Sequence, residues 1–302
     1  MKVFVTGGTG VVGTRAIPAL VSAGHEVTAV ARSAAKAELV RELGGAPVEV
    51  DLFDADAVKA AVLGHDAVAN LATSIPPLSK ATGKHAWDLN DRIRREGSAI
   101  LVDAALAAGA GRFVQESIAF PYVDNGSDWI DEDHPIDNTL GPFSGAGVAE
   151  AQAARFTAEG GIGVVLRFAQ FYAPEATHTI AFNKAVRRFR VNPFFGRPEA
   201  YTSFIHAEDA GSAVAAALRA PAGIYNVVDD EPMTRADAGR VLAAANGRRR
   251  AYAIPRPLQA LAPAMARGLA ASLRESNARF KAATGWAPTH PSIRGSWPGL
   301  PR

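Results

Sequence analysis

A glycine-rich turn close to the first residue is the clearest chemical pattern in the sequence. It lies between a β-branched run, Val3 to Thr6, and a helical stretch from about Val11 to Ala23. Gly7 allows a tight turn, Gly10 lets backbone N–H groups approach a pyrophosphate, and Gly13 lets helix and strand pack closely. A helix N-terminus also favours negative charge. The pattern predicts a dinucleotide site with the contact residues Gly7, Gly8, Thr9, Gly10, Val11, Val12 and Gly13.

The end of the second predicted strand, Glu26 to Ala31, indicates which dinucleotide is bound. An acid there would favour NAD, but the chain has Arg32 and Ser33, with Lys36 one turn further on. A guanidinium pairs well with a 2′-phosphate, so NADP is favoured over NAD. Asp51 and Leu52 are expected to contact the adenine. Leu71, Ala72 and Thr73 are expected to lie under the nicotinamide end.

Composition narrows the class of protein. The 302 residues include 32 Lys and Arg against 30 acidic residues, so the field that attracts nucleic acid is missing, and short clusters of arginine are expected on solvated faces. There is no Cys, which excludes disulfides and thiolate metal sites. No apolar run reaches the ~20 residues that span a bilayer, and no targeting peptide fits before the turn. We expect a cytoplasmic protein that binds neither membrane nor nucleic acid.

Apolar runs and Ala-rich helical stretches alternate through the first half of the chain. This pattern predicts an α/β fold, a Rossmann-type doubly wound parallel sheet. After Phe171 the alternation ends in a Pro/Gly-rich bend and a hairpin-like stretch near 201–205. We therefore predict a nucleotide-binding domain over 1–172, with 203–228 returning to the sheet. The segments 173–202 and 229–302 are expected to form a small C-terminal substrate-binding lobe.

Several segments resemble, in order, those of extended short-chain dehydrogenases/reductases of the NAD(P)-dependent epimerase/dehydratase family. They are the TGGTGVVG turn, the Asp51-Leu52 pair, the Gly97-Ser98 helix, Leu166 to Pro174, Phe204 to Asp209, and Gly285-Trp286-Ala287-Pro288. The resemblance covers nearly the whole chain. It implies a nicotinamide cofactor, a small-molecule substrate and a homodimer built on the helices at 88–108 and 148–159.

The resemblance also implies a Tyr-x-x-x-Lys pair and an upstream Ser or Thr, and here the sequence departs from the family. Phe143 stands at the Tyr position, Gly147 at the Lys position and Ile118 at the hydroxyl position, while Arg94 replaces an Asn. A phenyl ring cannot exchange a proton. We therefore predict an atypical family member without the usual proton relay.

Residues that follow strands four to six are the candidates for the remaining chemistry, because ligands bind at the carboxyl ends of parallel strands. Glu116, Ser117 and Tyr122 could supply protons, although an exposed carboxylate and a packing tyrosine are the alternatives. The aromatic set either lines an apolar pocket or forms the core of the lobe. The predicted substrate contacts are His85, Trp87, Arg94, Phe143, Tyr172, His178, Phe182, Phe195 and Tyr201.

No metal is expected. The acidic run from Asp128 to His134 lacks the spacing of helical ligands and is interpreted as a solvated loop. Three functions follow from these patterns. The first is an NADP-dependent reductase or epimerase of a small, fairly apolar metabolite. The second is a non-redox isomerase, lyase or cyclase whose cofactor is structural or lost, and the third is a non-catalytic NADP sensor.

Overall fold

A computed structural model describes residues 1–77, 80–81, 83, 85–137, 139, 143–255, 257, 259 and 269–300. Its strands are β1 (Lys2–Thr6), β2 (Glu26–Val30), β3 (Ala46–Val48), β4 (Ala67–Asn70), β5 (Arg112–Ile118), β6 (Trp129–Ile130), β7 (Ile162–Phe168), β8 (Gln170–Tyr172), β9 (Tyr201–Thr202), β10 (Phe204–His206), β11 (Gly223–Val227), β12 (Met233–Thr234) and β13 (Arg274–Glu275).

Its helices are α1 (Gly13–Ser22), α2 (Ala34–Glu42), α3 (Ala55–Val62), α4 (Asp88–Arg92), α5 (Ser98–Ala107), α6 (Ser144–Ala158), α7 (Thr177–Lys184), α8 (Ala207–Ala217), α9 (Arg235–Ala245) and α10 (Ala278–Thr284). A π-helical turn, Ile93–Gly97, joins α4 to α5, and another, Ala185–Phe189, follows α7. Within the described parts of the chain, no helix is both long enough and apolar enough to span a bilayer.

Seven parallel strands form the main sheet in the order β11-β7-β5-β4-β1-β2-β3. The order reverses between β4 and β1, and ligands of doubly wound sheets bind at such a switch point, beyond the carboxyl ends of the strands. The glycine-rich turn follows β1 directly. The predicted fold class is confirmed, and the turn lies where the fold places its ligands.

Alternation along the strands divides the core between the two faces of the sheet. Val3 and Val5 of β1 pack into a cluster with α1 and α8, whereas Phe4 packs into a second cluster with α3, α5 and α6. These side chains are fully buried. Helices therefore cover both faces, as a parallel sheet requires.

The hairpin-like interpretation of residues 201–205 is wrong. β9 pairs antiparallel with β12, and β10 pairs parallel with β8, so the two neighbouring strands have different partners. The pattern of alternating residues predicts extended backbone, but it carries no information on which distant strand supplies the hydrogen bonds.

A third apolar cluster lies beyond the main sheet. It contains Tyr172, Phe194, Phe204, Leu242 and Trp297, which are drawn from widely separated parts of the chain. Tyr172 stacks on Trp297 at 5.3 Å between ring centroids. This cluster is the core that a small C-terminal lobe would need, and the division of the chain into two lobes stays a prediction.

Candidate functional site

A cleft of about 770 Å³ opens at the carboxyl ends of β1, β2 and β4. Its wall brings together four segments that are distant in sequence, together with Ile93: the glycine-rich turn, the end of β2 with the start of α2, the residues after β3 and the residues after β4. The lining residues are Gly7, Thr9, Gly10, Val30, Arg32, Lys36, Asp51, Leu52, Phe53, Leu71, Ala72, Thr73 and Ile93.

Two glycines of the turn are required by close backbone packing. Gly7 has φ +70°, and a Cβ there would overlap the carbonyl group of Leu71. A Cβ on Gly13 would overlap the backbone of Gly7 and Gly8. The Gly10 N–H donates to the Gly7 carbonyl at 3.0 Å and closes the turn. The Thr14 and Arg15 N–H groups already donate to the carbonyls of Gly10 and Val12 at 3.0 Å, so the positive end of the α1 dipole and the close backbone approach are what suit this cradle to an anion.

Two cations lie on the rim of the cleft after β2. Arg32 is exposed, Lys36 lies on the first turn of α2, and both residues line the cleft. In the described chain neither side chain forms an ion pair or hydrogen bond, so both charges are available to a phosphate. Ser33 instead caps α2, and its hydroxyl oxygen accepts from the Lys36 N–H at 3.3 Å.

The remaining predicted cofactor contacts surround the cleft. Asp51 lines it and accepts a hydrogen bond from the Phe53 N–H at 3.0 Å. The Phe53 ring is covered by the Arg92 guanidinium at 3.7 Å. Val11 and Val12 lie at the start of α1 but are not among the lining residues. The sequence patterns did not single out Phe53 or Ile93, because apolar residues in these places are equally typical of a core.

A group of carbon side chains lies at the carboxyl end of β5, the strand next to β4, and we call it the carbon cluster: Ile118, Phe143 and Ala146, with Trp87 and Phe120 packed against them. Phe143 contacts Trp87 edge-on at 6.1 Å and Phe120 at 5.7 Å. The Trp87 indole N–H donates away from the cluster, to the Ala81 carbonyl. None of these five side chains presents an acid or base, so the cluster cannot transfer a proton.

Glu116 is not the exposed carboxylate that one interpretation expected. It is 4% exposed and accepts two hydrogen bonds, at 3.0 and 2.8 Å, from Nη2 of the equally buried Arg94. Burial raises the pKa of Glu116, and the Arg94 charge opposes this shift. Glu116 lies within β5 and Arg94 within the π-helical turn that joins α4 to α5, so the pair links these two elements in the protein interior.

Ser117 and Tyr122 belong to a buried polar network on the other side of β5. Ser117 Oγ donates to Glu150 at 2.6 Å, and Arg167 binds both oxygens of Glu150 at 2.9 and 2.7 Å. Arg167 also donates to the Tyr122 hydroxyl, which donates to Asn226 at 2.8 Å. Burial raises the pKa of Tyr122 above its usual range.

This network corrects the candidate roles of Ser117 and Tyr122. Their side chains are 0% and 1% exposed, and neither residue lines a described cavity. The sequence placed both residues after strand five, but only the register of β5 with β7 shows that Ser117 lies opposite Arg167. The packing role that the sequence left open for Tyr122 is the one that the structure supports.

A second cavity of about 520 Å³, here called the lobe pocket, contains three of the predicted aromatic contacts. Phe182, Phe195 and Tyr201 line it, and Phe120 lines it while also packing on Phe143, so the lobe pocket adjoins the carbon cluster. The lining residues are Phe120, Gln170, Phe182, Pro193, Phe194, Phe195, Tyr201, Thr202, Ser203, Arg235, Leu269, Ala271, Leu273 and Glu275.

Three other predicted substrate contacts lie outside both cavities. Tyr172 is fully buried, and its hydroxyl lies 2.8 Å from Ser296 Oγ. His178 Nε2 is hydrogen-bonded to the Phe171 carbonyl, and burial lowers its pKa. His85 is exposed and pairs with Asp88 at 2.8 Å. These are packing or surface roles, which local sequence does not distinguish from ligand contacts.

Two acidic residues have roles that the sequence did not reveal. Glu132, in the run interpreted as a solvated loop, is 6% exposed, accepts from the Asn226 N–H at 2.8 Å and pairs with Arg279 at 3.1 Å. Glu275 lies in the wall of the lobe pocket at 2% exposure. Neither position belongs to a recognisable motif, and both acids have polar or charged neighbours in the chain, so local sequence carries no signal of their burial.

Comparison with known proteins identifies the family. Residues 3–228 match the NAD dependent epimerase/dehydratase family. The chain belongs to this family. It is 34% identical over 311 aligned positions, or 97% of its length and 98% of the relative's, to a 3-diazoavenalumate denitrifying reductase of a Streptomyces species. A ketoreductase of Stigmatella aurantiaca is 31% identical over 51% of this chain and 44% of its own.

Solved structures share the fold at low sequence identity. A UDP-glucose-4-epimerase of Stenotrophomonas maltophila with bound NAD has a TM-score of 0.79 at 19% identity, covering 97% of this chain and 95% of its own. A human epimerase family protein with NADPH has a TM-score of 0.76 at 23% identity, covering 98% of both chains. These structures confirm the α/β architecture of the family member described here.

Proposed function

We propose that this protein is an NADP(H)-dependent reductase of a small, fairly apolar molecule whose electrophilic centre needs no proton from the protein. The observation that carries the proposal is the contrast between a polar cofactor cleft and the carbon cluster beside it. Phe143 and Gly147 occupy the positions where the family resemblance predicts a Tyr and a Lys, and this correspondence is part of the proposal.

The backbone geometry of the glycine-rich turn fits a dinucleotide. The places of Gly7 and Gly13 leave no room for a Cβ, so the backbone can approach a diphosphate closely. Arg32 and Lys36 offer two unpaired charges at the end of β2, which is the support for NADP over NAD. When bound, a reduced nicotinamide supplies a hydride. The side chains of the carbon cluster would offer it no proton.

A site without a proton donor selects among hydride acceptors. A ketone becomes an alkoxide when it accepts a hydride, and an alkoxide needs a proton or a strong positive partner. A cationic acceptor is only neutralised, and no proton is needed. The full-length relative is named as a reductase of a diazo compound that removes nitrogen. We therefore propose an aromatic diazonium as the class of acceptor, with loss of dinitrogen balancing the gain of hydride.

Two measurements test this function. NADPH should raise the melting temperature more than NADH at equal concentration, because only binding to the folded state stabilises. Purified protein should then accelerate NADPH oxidation by benzenediazonium-type compounds, above the rate without protein, and leave simple ketones unreduced. Stabilisation without any accelerated oxidation would favour the non-redox or sensor function, and no stabilisation would remove the cofactor from the proposal.

A further inference from the structure

The lobe pocket holds a buried carboxyl group with one oxygen that no described protein group satisfies. Glu275 is 2% exposed, its backbone N–H donates to Ser203 Oγ at 3.1 Å, and the Ser203 side chain also stabilises the carboxylate. The second carboxyl oxygen, Oε2, is shielded from solvent and has no hydrogen-bond partner in the described part of the chain. Buried polar groups in native proteins are almost always paired, so this carboxyl requires an explanation.

The charged groups around Glu275 are committed elsewhere. Arg235, the other charged residue in the pocket wall, donates to the carbonyls of Leu269, Ala270 and Ala271. Arg274 lies over the rings of Trp129 and Tyr201 at 4.3 and 4.9 Å.

Glu132 is paired with Arg279. Among the residues that the structure describes, no cation forms an ion pair with Glu275, and the aromatic wall around it favours a flat ligand.

We propose that the Glu275 carboxyl binds a positively charged group of an aromatic ligand held between the rings of the lobe pocket. The three rings of Phe120, Phe182 and Phe194 contact the apolar part, and the carboxylate neutralises the cation. The inference deepens the proposed function, on which it rests for the identity of the pocket as the substrate site. It makes Glu275 the residue that selects cationic over neutral aromatic substrates.

The state of the empty pocket agrees with this role. Burial raises the pKa of Glu275 to about 8, so at neutral pH the unliganded carboxyl is largely protonated. A bound cation favours the carboxylate. Binding should therefore release a proton, whereas a neutral ligand of the same shape should release none.

The experiment compares benzamidine, a planar aromatic cation, with benzamide, its neutral isostere, by titration calorimetry with the protein free of NADPH. We expect benzamidine to bind at least tenfold more tightly. At pH 7 it should release close to one proton, measured from the dependence of the heat on buffer ionisation. Glu275→Gln should bring the affinity ratio to about one and abolish proton release. Glu42→Gln, on the exposed end of α2, should change neither.

Two results would overturn the inference: equal binding of the two probes to the unmodified protein, or a ratio that survives in Glu275→Gln. Unfolding of Glu275→Gln cannot conceal the answer, because proton release by the unmodified protein is measured separately. Because NADPH is absent, failure here leaves the reductase proposal standing. If the protein failed to bind NADPH but still bound benzamidine more tightly than benzamide, the reductase proposal would fail and the role of Glu275 would stand.

Discussion

The cofactor cleft and the carbon cluster are neighbours at one edge of the sheet, yet they are built on opposite principles. The cleft presents the glycine-rich turn and the unpaired charges of Arg32 and Lys36. The carbon cluster presents Ile118, Phe143 and Trp87, and the nearby hydroxyls of Ser117 and Tyr122 are turned into a separate buried network. The contrast separates a cleft that suits a charged ligand from a group of side chains that contains no acid or base.

The largest expected effect is on the cleft side of this comparison. Gly7→Ala introduces a Cβ where the Leu71 carbonyl lies, in a backbone conformation that already disfavours a side chain. We expect the affinity for NADPH to fall at least roughly 100-fold, about 2.8 kcal/mol. Calorimetry with NADPH measures this change.

Gly24→Ala is the matched control. Gly24 has a similar φ, +81°, but a Cβ there would meet no described atom within 4 Å. It should cost stability by about 1–2 kcal/mol, through the left-handed conformation alone, and leave the NADPH affinity unchanged. Equal NADPH affinities for the two variants would contradict the role of close packing at Gly7.

The second prediction converts the carbon cluster. Phe143→Tyr combined with Gly147→Lys introduces a phenol and an ammonium where the family resemblance places them. General acid catalysis contributes roughly 10²–10⁴-fold, so ketone reduction with NADPH should rise at least about tenfold above background. Phe143→Tyr alone lacks the cation and should gain little. If ketones stay unreduced by the double variant, these positions do not correspond to the family's Tyr and Lys.

A third, smaller change tests the choice of cofactor. Arg32→Ala should weaken NADPH binding about 10- to 100-fold, since a hydrogen bond to a charged group contributes about 1.5–3 kcal/mol. The affinity for NADH should stay within about twofold. Arg41→Ala, an exposed arginine of α2 already paired with Glu38, is the control. Equal losses for the two cofactors would mean that Arg32 does not bind the 2′-phosphate.

The pH dependence of the unfolding free energy tests the buried carboxyl group of the lobe pocket. The folded protein keeps Glu275 protonated up to about pH 8, whereas an unfolded chain loses that proton near 4.5. The folded state thus binds more protons in this window, and its unfolding free energy falls as the pH rises. Glu275→Gln removes this loss. The difference in melting temperature, variant minus unmodified protein, should therefore increase as the pH is raised from about 5 to 8. A difference that stays constant over this range would contradict the buried carboxyl.

The smallest effect concerns Ser33. Its hydroxyl caps α2, so Ser33→Ala should lower the unfolding free energy by about 1 kcal/mol. The preference for NADPH over NADH should change less than about twofold. A tenfold loss of that preference would instead mean that Ser33 contacts the 2′-phosphate and belongs to the polar wall of the cleft.

Local sequence determined much of this protein. The glycine-rich turn, the alternation of strands and helices and the arginine after β2 predicted the α/β fold and the wall of the cleft. Such features follow from backbone geometry and from residues close together in the chain. The resemblance to family motifs also predicted that Phe143 stands where family members have a Tyr.

Tertiary structure decided which polar groups are available. Glu116, Ser117 and Tyr122 lie in or just after β5 and look equivalent in sequence, but each is paired with a residue far along the chain and none of them lines the cleft. Glu275 belongs to no sequence motif. Its carboxyl group becomes a candidate ligand contact only because segments distant in sequence bury it and leave Oε2 without a partner. The free energy of a charged or polar group depends on what surrounds it, and those surroundings are assembled by folding.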